Sequence, residues 1–273
     1  MSHMAGALRR LRLESGLSLR DLARRLGVSS AYLSRVEHGL DPVPTAERLA
    51  ALARELGLPP EWLLEIGHRL TPGLDRYLDH QPQAAALFAA IARRQLGAEE
   101  LADIHRYVEA RFPEKGAAAI TEVHRLTGAL SPERVVLGVR CGELDDAYEI
   151  ACTRVATPDD PPAAADLAAL VRARIAQVDP HLGGGVAVVS LALPRARPTA
   201  GLVGLAQPVE SSALDGLPVS VAVLLVGPAR NREMMLRIAQ VSRLATRGLV
   251  DAIGGARQAH DAVQRIAVLE RVG

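Results

Sequence analysis

The stretch LSLRDLARRLGVSSAYLSRVEHG, Leu17 to Gly39, constrains this chain more than any other. Leu19, Leu22, Ala23 and Leu26 recur at i, i+3, i+4 and i+7, the spacing of an amphipathic helix. A second helical pattern begins after only Gly27, Val28 and Ser29. Gly27 is expected to stop the first helix and Ser29 to cap the second. Ser18, with Asp21 three residues on, is a capping-box-like start. So short a joint fixes a sharp crossing of two short helices. The second helix offers only Leu33 and Val36 as clear core residues, while Ser30, Tyr32, Ser34 and Arg35 point elsewhere and Ala31 permits close approach. Glu37 and Gly39 fit its C-terminal end. A helix that buries one face and presents small polar residues and an arginine on the other suits a DNA major groove. The competing reading is a helical hairpin inside a larger bundle.

The flanking sequence supplies the rest of a small helical unit. The opening MSHM resembles a vector remnant and is set aside. ALRRLRLESG places Leu8, Leu11 and Ser15 on one face and arginines on the other, and Leu49, Leu52, Ala53 and Leu56 form another stripe. Pro59 and Pro60 open a last short helix with Trp62, Leu63 and Ile66. Five short helices in the first 66 residues, with this joint between the second and third, resemble the Cro/C1-type (XRE family) helix-turn-helix, over residues 5–66. Leu22, Ala23, Gly27, Glu37 and Gly39 carry that resemblance. It implies a lambda repressor-like fold in which Ser29, Ser30, Ala31, Tyr32, Ser34 and Arg35 face double-stranded operator DNA. Arg35 would read a guanine edge, and Arg20 and Arg24 would hold phosphates. Where the family often carries glutamine this chain has Leu19, so a phosphate contact shifts to Ser18 or Arg20.

Charge bears on how such a unit would bind. The chain's net charge is +1, but residues 1–70 carry +2, residues 71–179 carry −5 and residues 180–273 carry +4. A unit of only +2 neutralises few phosphates, so a homodimer on a palindromic site is expected. Residues 67–130 read as a helical linker or dimerisation region, with Leu87, Phe88, Ile91, Leu101, Ile104 and Val108 buried at helical spacing and AAAITEVHRL as one more helix.

Near Ser131 the period changes. RVVLGVR, GGGVAVVSLAL and LPVSVAVLLVG are β-branched runs typical of buried strands, separated by helical stretches at Glu143–Arg154 and Ala163–Gln177. Alternating strands and helices predict an α/β domain over residues 131–273, and the whole chain a multidomain protein. LSPERVVLGV, LPRARP, LVGLAQPV and PVSVAVLLVGPARNREMM resemble the EIIA domain of the fructose/mannitol class of the sugar phosphotransferase system. The resemblance implies a phosphoryl-accepting histidine between Pro194 and Ala196, where this chain has Arg195. A protonated guanidinium has no lone pair to attack phosphorus. The resemblance therefore implies a degenerate domain used for dimerisation, effector sensing or partner binding. His181, in DPHLGGG, is the non-standard histidine a phosphotransfer reading would need, and otherwise a loop residue. Arg195 and Arg197 are a candidate anion-binding pair for a small effector, against an ion-paired loop.

No catalytic or metal-binding constellation, and no cofactor motif, emerges. Cys141 and Cys152 have no partners at metal spacing and read as small core residues of a reducing compartment. No segment is long and apolar enough to span a bilayer and no leader pattern precedes the first helix, so a cytoplasmic, non-enzymatic regulator is expected.

Overall fold

The computed structural model describes residues 3–68, 77–78, 80–112, 125–156, 162–194, 196–210, 217–228 and 232–271. Five helices open the chain: α1 (His3–Glu14), α2 (Leu19–Leu26), α3 (Ser30–Glu37), α4 (Ala46–Leu56) and α5 (Pro60–Ile66). Leu8, Leu11, Leu22, Leu33, Leu49 and Leu63 meet in their shared core. His3 and Met4, set aside on sequence, are part of α1: Met4 is buried and His3 Nε2 lies 2.9 Å from the carbonyl of Ser242. The arginines of α1 also depart from expectation. Arg10 and Arg12 are buried rather than outward, because each finds a carboxylate inside the protein.

Two helices, α6 (Pro82–Arg94) and α7 (Ala98–Arg111), follow. The apolar residues expected to be buried here are not. Leu87 and Phe88 are 57% and 52% exposed, Leu101 and Val108 are exposed, and Ile91 and Ile104 are only half-buried. Most of AAAITEVHRL lies outside the described residues; its last two, Arg125 and Leu126, belong to the approach to a 3-10 turn at Leu126–Gly128.

The second half is a five-stranded mixed sheet, in the order β1-β4-β5-β3-β2. Its strands are β1 (Leu130–Val139), β2 (His181–Gly183), β3 (Val186–Ala192), β4 (Thr199–Glu210) and β5 (Pro218–Gly227). β3 and β5 run parallel, as do β1 and β4, while β4–β5 and β2–β3 are antiparallel. Alternation of side chains sorts the strands onto two faces. Ala187, Val189, Ala222, Leu224 and Val226 pack beneath α8 (Leu144–Val155) and α9 (Ala164–Ile175). Val186, Val188, Val221, Val223 and Leu225 face α10 (Arg232–Thr246), α11 (Leu249–Gly254) and α12 (Ala259–Arg271), and share one continuous core with the N-terminal helices.

Both predicted helical stretches lie within two residues of α8 and α9. β1, read as a buried strand, is an edge strand with only Leu130 and Val135 buried, consistent with Pro132 lying within it. β4, interior in the sheet between β1 and β5, gives no strand period because Gly201 and Gly204 interrupt its apolar run. Those glycines mark close helix approaches: a Cβ at Gly201 would meet Val155 Cγ2 at 2.8 Å, and one at Gly204 would meet Ile253 Cγ2 at 2.6 Å.

The helical and α/β parts are joined by more than apolar contact. Arg243 Nε and Arg247 Nη2 of the α/β part each donate to Glu65 Oε2 of α5 at 2.8 Å, and the Arg247 Nε also reaches Glu65. The Arg243 guanidinium lies 4.7 Å from the centre of the Trp62 ring. Burial works against the Glu65 charge, but the two guanidinium groups outweigh it and hold the carboxyl below its ordinary range. At the other end of the interface, Arg10 donates to Ser190 Oγ at 2.7 Å, and Glu14 accepts from Ser190 and Arg174 at the same distance.

Candidate nucleic-acid interface

The α2–α3 joint is built by local hydrogen bonds. Ser18 Oγ accepts from the Asp21 N–H at 3.0 Å and Ser29 Oγ from the Tyr32 N–H at 3.1 Å, so each helix starts on a serine cap. Gly27 adopts φ +66°, the left-handed conformation a side chain would resist, and the chain turns there into α3. At the far end of α3 the Leu40 N–H donates to the Arg35 carbonyl at 2.8 Å and the Gly39 N–H to Val36 at 3.1 Å, the paired bonds of a Schellman motif.

Leu33, Val36 and Glu37 form the buried side of α3. Glu37 is 1% exposed, and its carboxylate is gripped by Arg12 through Nε at 2.7 Å and Nη2 at 2.8 Å. Arg12 Nη1 also donates to the Leu17 carbonyl at 3.0 Å. One arginine of α1 therefore anchors both the loop before α2 and the last turn of α3. Sequence reasoning placed Glu37 only by spacing. The signal for its burial is an acidic residue beside core Val36 and a basic one beside core Leu11.

The opposite side of α3 is open. Ser29, Ser30, Ala31 and Arg35 are exposed and Ser34 is half-buried. Arg35 Nε donates to both Asp41 oxygens, at 3.0 and 3.2 Å, and this pairing raises its pKa above the ordinary guanidinium value. Arg24 reaches Asp21 at 2.8 Å, and Ser18 Oγ donates to the other oxygen of that carboxylate at 2.6 Å. Arg20 stands exposed on α2. Tyr32 does not join this open side fully: it is half-buried, packed on the core beside Leu33, with the Arg48 guanidinium 5.1 Å from its ring centre. The candidate groups Ser18, Arg20, Arg24, Ser29, Ser30, Ala31, Ser34 and Arg35 thus come from α2, α3 and their caps.

Residues 8–63 match the family model described as Helix-turn-helix. The match spans the joint, both serine caps and the α3 face, and this part of the chain is a DNA-binding helix-turn-helix. Solved structures similar to the chain include the nitrogen regulatory protein IIA-Ntr from Neisseria meningitidis, 21% identical with a TM-score of 0.44, over 51% of this chain and 97% of that one. A candidate PTS IIA domain from Streptococcus pyogenes M1 GAS is 18% identical with a TM-score of 0.41, over 52% of this chain and 94% of that one. No curated protein matches the chain.

The other sequence candidates are placed differently. Arg195 lies outside the described residues. Arg197 is exposed, and its carbonyl accepts from Thr199 Oγ1 at 3.0 Å. His181 is not a loop residue: it stands on β2, buried, with Nε2 sealed from solvent. Burial lowers its pKa, against the pull of Asp179. Cys152 is on the buried side of α8, where desolvation pushes its thiol up to about 11, and Cys141 is half-buried. Among the described residues no group of three metal-ligating side chains comes together, and no helix is long and apolar enough to cross a membrane.

Proposed function

We propose that this protein is a dimeric transcription regulator that represses from a palindromic operator, read by residues 5–66, with residues 131–273 as a regulatory domain that does not transfer phosphate. The observation that carries the reading is the division of α3: Leu33, Val36 and Glu37 are locked inside while Ser30, Ala31 and Arg35 are exposed, Arg35 paired with Asp41 on that open side. A groove-entering helix needs that division, because its inner face must be held rigidly for its outer face to meet base edges in register. Arg35 reads a guanine through its guanidinium fork, Ser30 and Ser34 make shorter polar contacts, and Arg20, Arg24 and Ser18 position the backbone.

Residues 67–130 are the dimerisation region in this reading. The exposed apolar residues of α6 and α7 favour a second copy over a simple linker, since a linker has no reason to carry Leu87, Phe88 and Leu101 uncovered. A phosphotransfer role is disfavoured by two residues: Arg195 at the family's acceptor position, and His181 with its outer ring nitrogen sealed.

Gel-shift titration against genomic fragments tests the function. Binding is expected to fall steeply with salt. Arg35→Ala is expected to weaken the specific site by roughly 5- to 150-fold, the range of one bidentate base contact, with little loss on random DNA. Salt-insensitive binding, or equal affinity for wild type and Arg35→Ala on every fragment, would overturn it.

A further inference from the structure

A cleft of about 960 Å³ opens between the helix-turn-helix and the α/β domain. Its apolar lining includes Leu13, Leu17, Leu56, Leu191, Met234 and Met235. On the α/β side it is bounded by Ser190, Leu191 and Ala192, the last residues of β3, and by Pro228, just past β5. β3 and β5 are parallel, so both carboxyl ends point into it. The first turn of α10 also lines it, bringing the positive end of a 15-residue helix to the same place.

Six charged side chains line the cleft: Glu14, Arg25, Arg54, Glu55, Arg174 and Arg232. Four arginines against two glutamates leave two positive charges in excess. The ion pairs show where that excess sits. Arg174 is bound to Glu14 at 2.7 Å, and Arg25 lies 3.7 Å from Glu55. Arg54, which donates only to its own helix at the Ala50 carbonyl, and Arg232 have no carboxylate partner among the described residues. Arg54 belongs to the helix-turn-helix and Arg232 to the α/β domain, so each wall of the cleft carries one uncompensated arginine.

We propose that this interdomain cleft binds a small organic molecule carrying two anionic groups, one held by Arg54 and the other by Arg232, with its carbon body on the Leu and Met lining. The size suits it, since ligand clefts commonly run about 300–1,000 Å³, often at domain interfaces. Guanidinium forks match phosphate and carboxylate geometry equally, so a dicarboxylate and a bisphosphate share the chemistry. The proposal deepens the regulator reading by naming the class of effector, and rests on that reading for its regulatory meaning alone. Arg54 and Glu55 lie in the last turn of α4 and Arg232 opens α10, so a bound dianion bridges the helix-turn-helix to α10 of the α/β domain.

The test is isothermal titration of the full chain, without DNA, using adipate for the dicarboxylate and hexane-1,6-diyl bisphosphate for the bisphosphate, at matched ionic strength in sodium chloride. Saturable one-site binding of at least one probe is expected, and the stronger probe identifies the source. Arg54→Ala and Arg232→Ala, both exposed positions, should each weaken it by roughly fivefold or more while thermal unfolding stays unchanged. Arg197→Ala should leave it intact. No saturable binding by either probe, binding indifferent to both cleft substitutions, or binding lost in Arg197→Ala overturns the proposal. Because DNA is absent from the titration, these outcomes are independent of whether the protein binds an operator.

Discussion

Arg12 and Glu37 are 25 residues apart in sequence and form a two-pronged ion pair inside the helix-turn-helix, with N–O distances of 2.7 and 2.8 Å. The pair ties the end of α1 to the end of α3, so the tilt of α3 is set by a contact on the side away from its exposed face. A buried pair adds less by its presence than is lost when one partner goes, because the survivor is left charged in a dry site.

Glu37→Ala is accordingly expected to destabilise the helical part by about 3–5 kcal/mol, and Arg12→Ala by a similar amount. Replacing both, as Arg12→Met with Glu37→Leu, should recover most of that loss. Chemical denaturation of the three variants checks it; a double variant no more stable than either single one would show that the pair does more than neutralise itself.

Asp41 holds Arg35 in the free protein. Asp41→Asn is expected to release the guanidinium and remove a carboxylate from the side of α3 proposed to meet DNA. Affinity for DNA should rise severalfold at low salt and converge on wild type at high salt, as exposed charge effects do. A salt series of binding isotherms measures this, and an affinity that drops at every salt concentration contradicts it.

Glu65 joins α5 to Arg243 and Arg247 of the α/β domain. Its pKa is lowered in the folded protein, so the contact contributes fully above the ordinary carboxylate range and is lost as pH falls through the lowered value. Thermal stability should therefore decline on acidification below about pH 4.5, the ordinary glutamate value, more steeply for wild type than for Glu65→Gln. Glu65→Gln itself should cost about 2 kcal/mol at pH 7, since Arg243 is left buried beside Trp62. Parallel pH profiles for the two proteins would rule out this assignment.

Phe88→Asp and Leu101→Glu place charges in the uncovered faces of α6 and α7. Sedimentation should find the wild type dimeric and both variants shifted toward monomer, with unfolding of the monomer unaffected because neither side chain touches its core. Unchanged oligomeric state in both variants would remove these helices from the dimer contact.

How much of this was legible in sequence depends on the range of the interaction concerned. The α2–α3 joint was readable because its causes are local: Ser18, Gly27 and Ser29 act on neighbours three residues away or nearer. The runs VAVVSLA and PVSVAVLLVG announced β3 and β5 because buried parallel strands need unbroken apolar residues. β4 gave no such sign, since Gly201 and Gly204 are there for the sake of Val155 and Ile253, which are remote in the chain. The burial of α6 and α7 was misread for a related reason: helical spacing shows that a face is apolar, not what covers it.

Sequence by itself determined the helix caps, the apolar periods and the absence of an imidazole at position 195, all properties of residues and their near neighbours. Tertiary structure alone decided that Arg12 meets Glu37, that Glu65 meets Arg243, and that Arg54 and Arg232 face one cleft. Such pairings are decided by how helices and sheet pack, and a charged side chain carries no mark in the sequence of the partner that packing will bring to it.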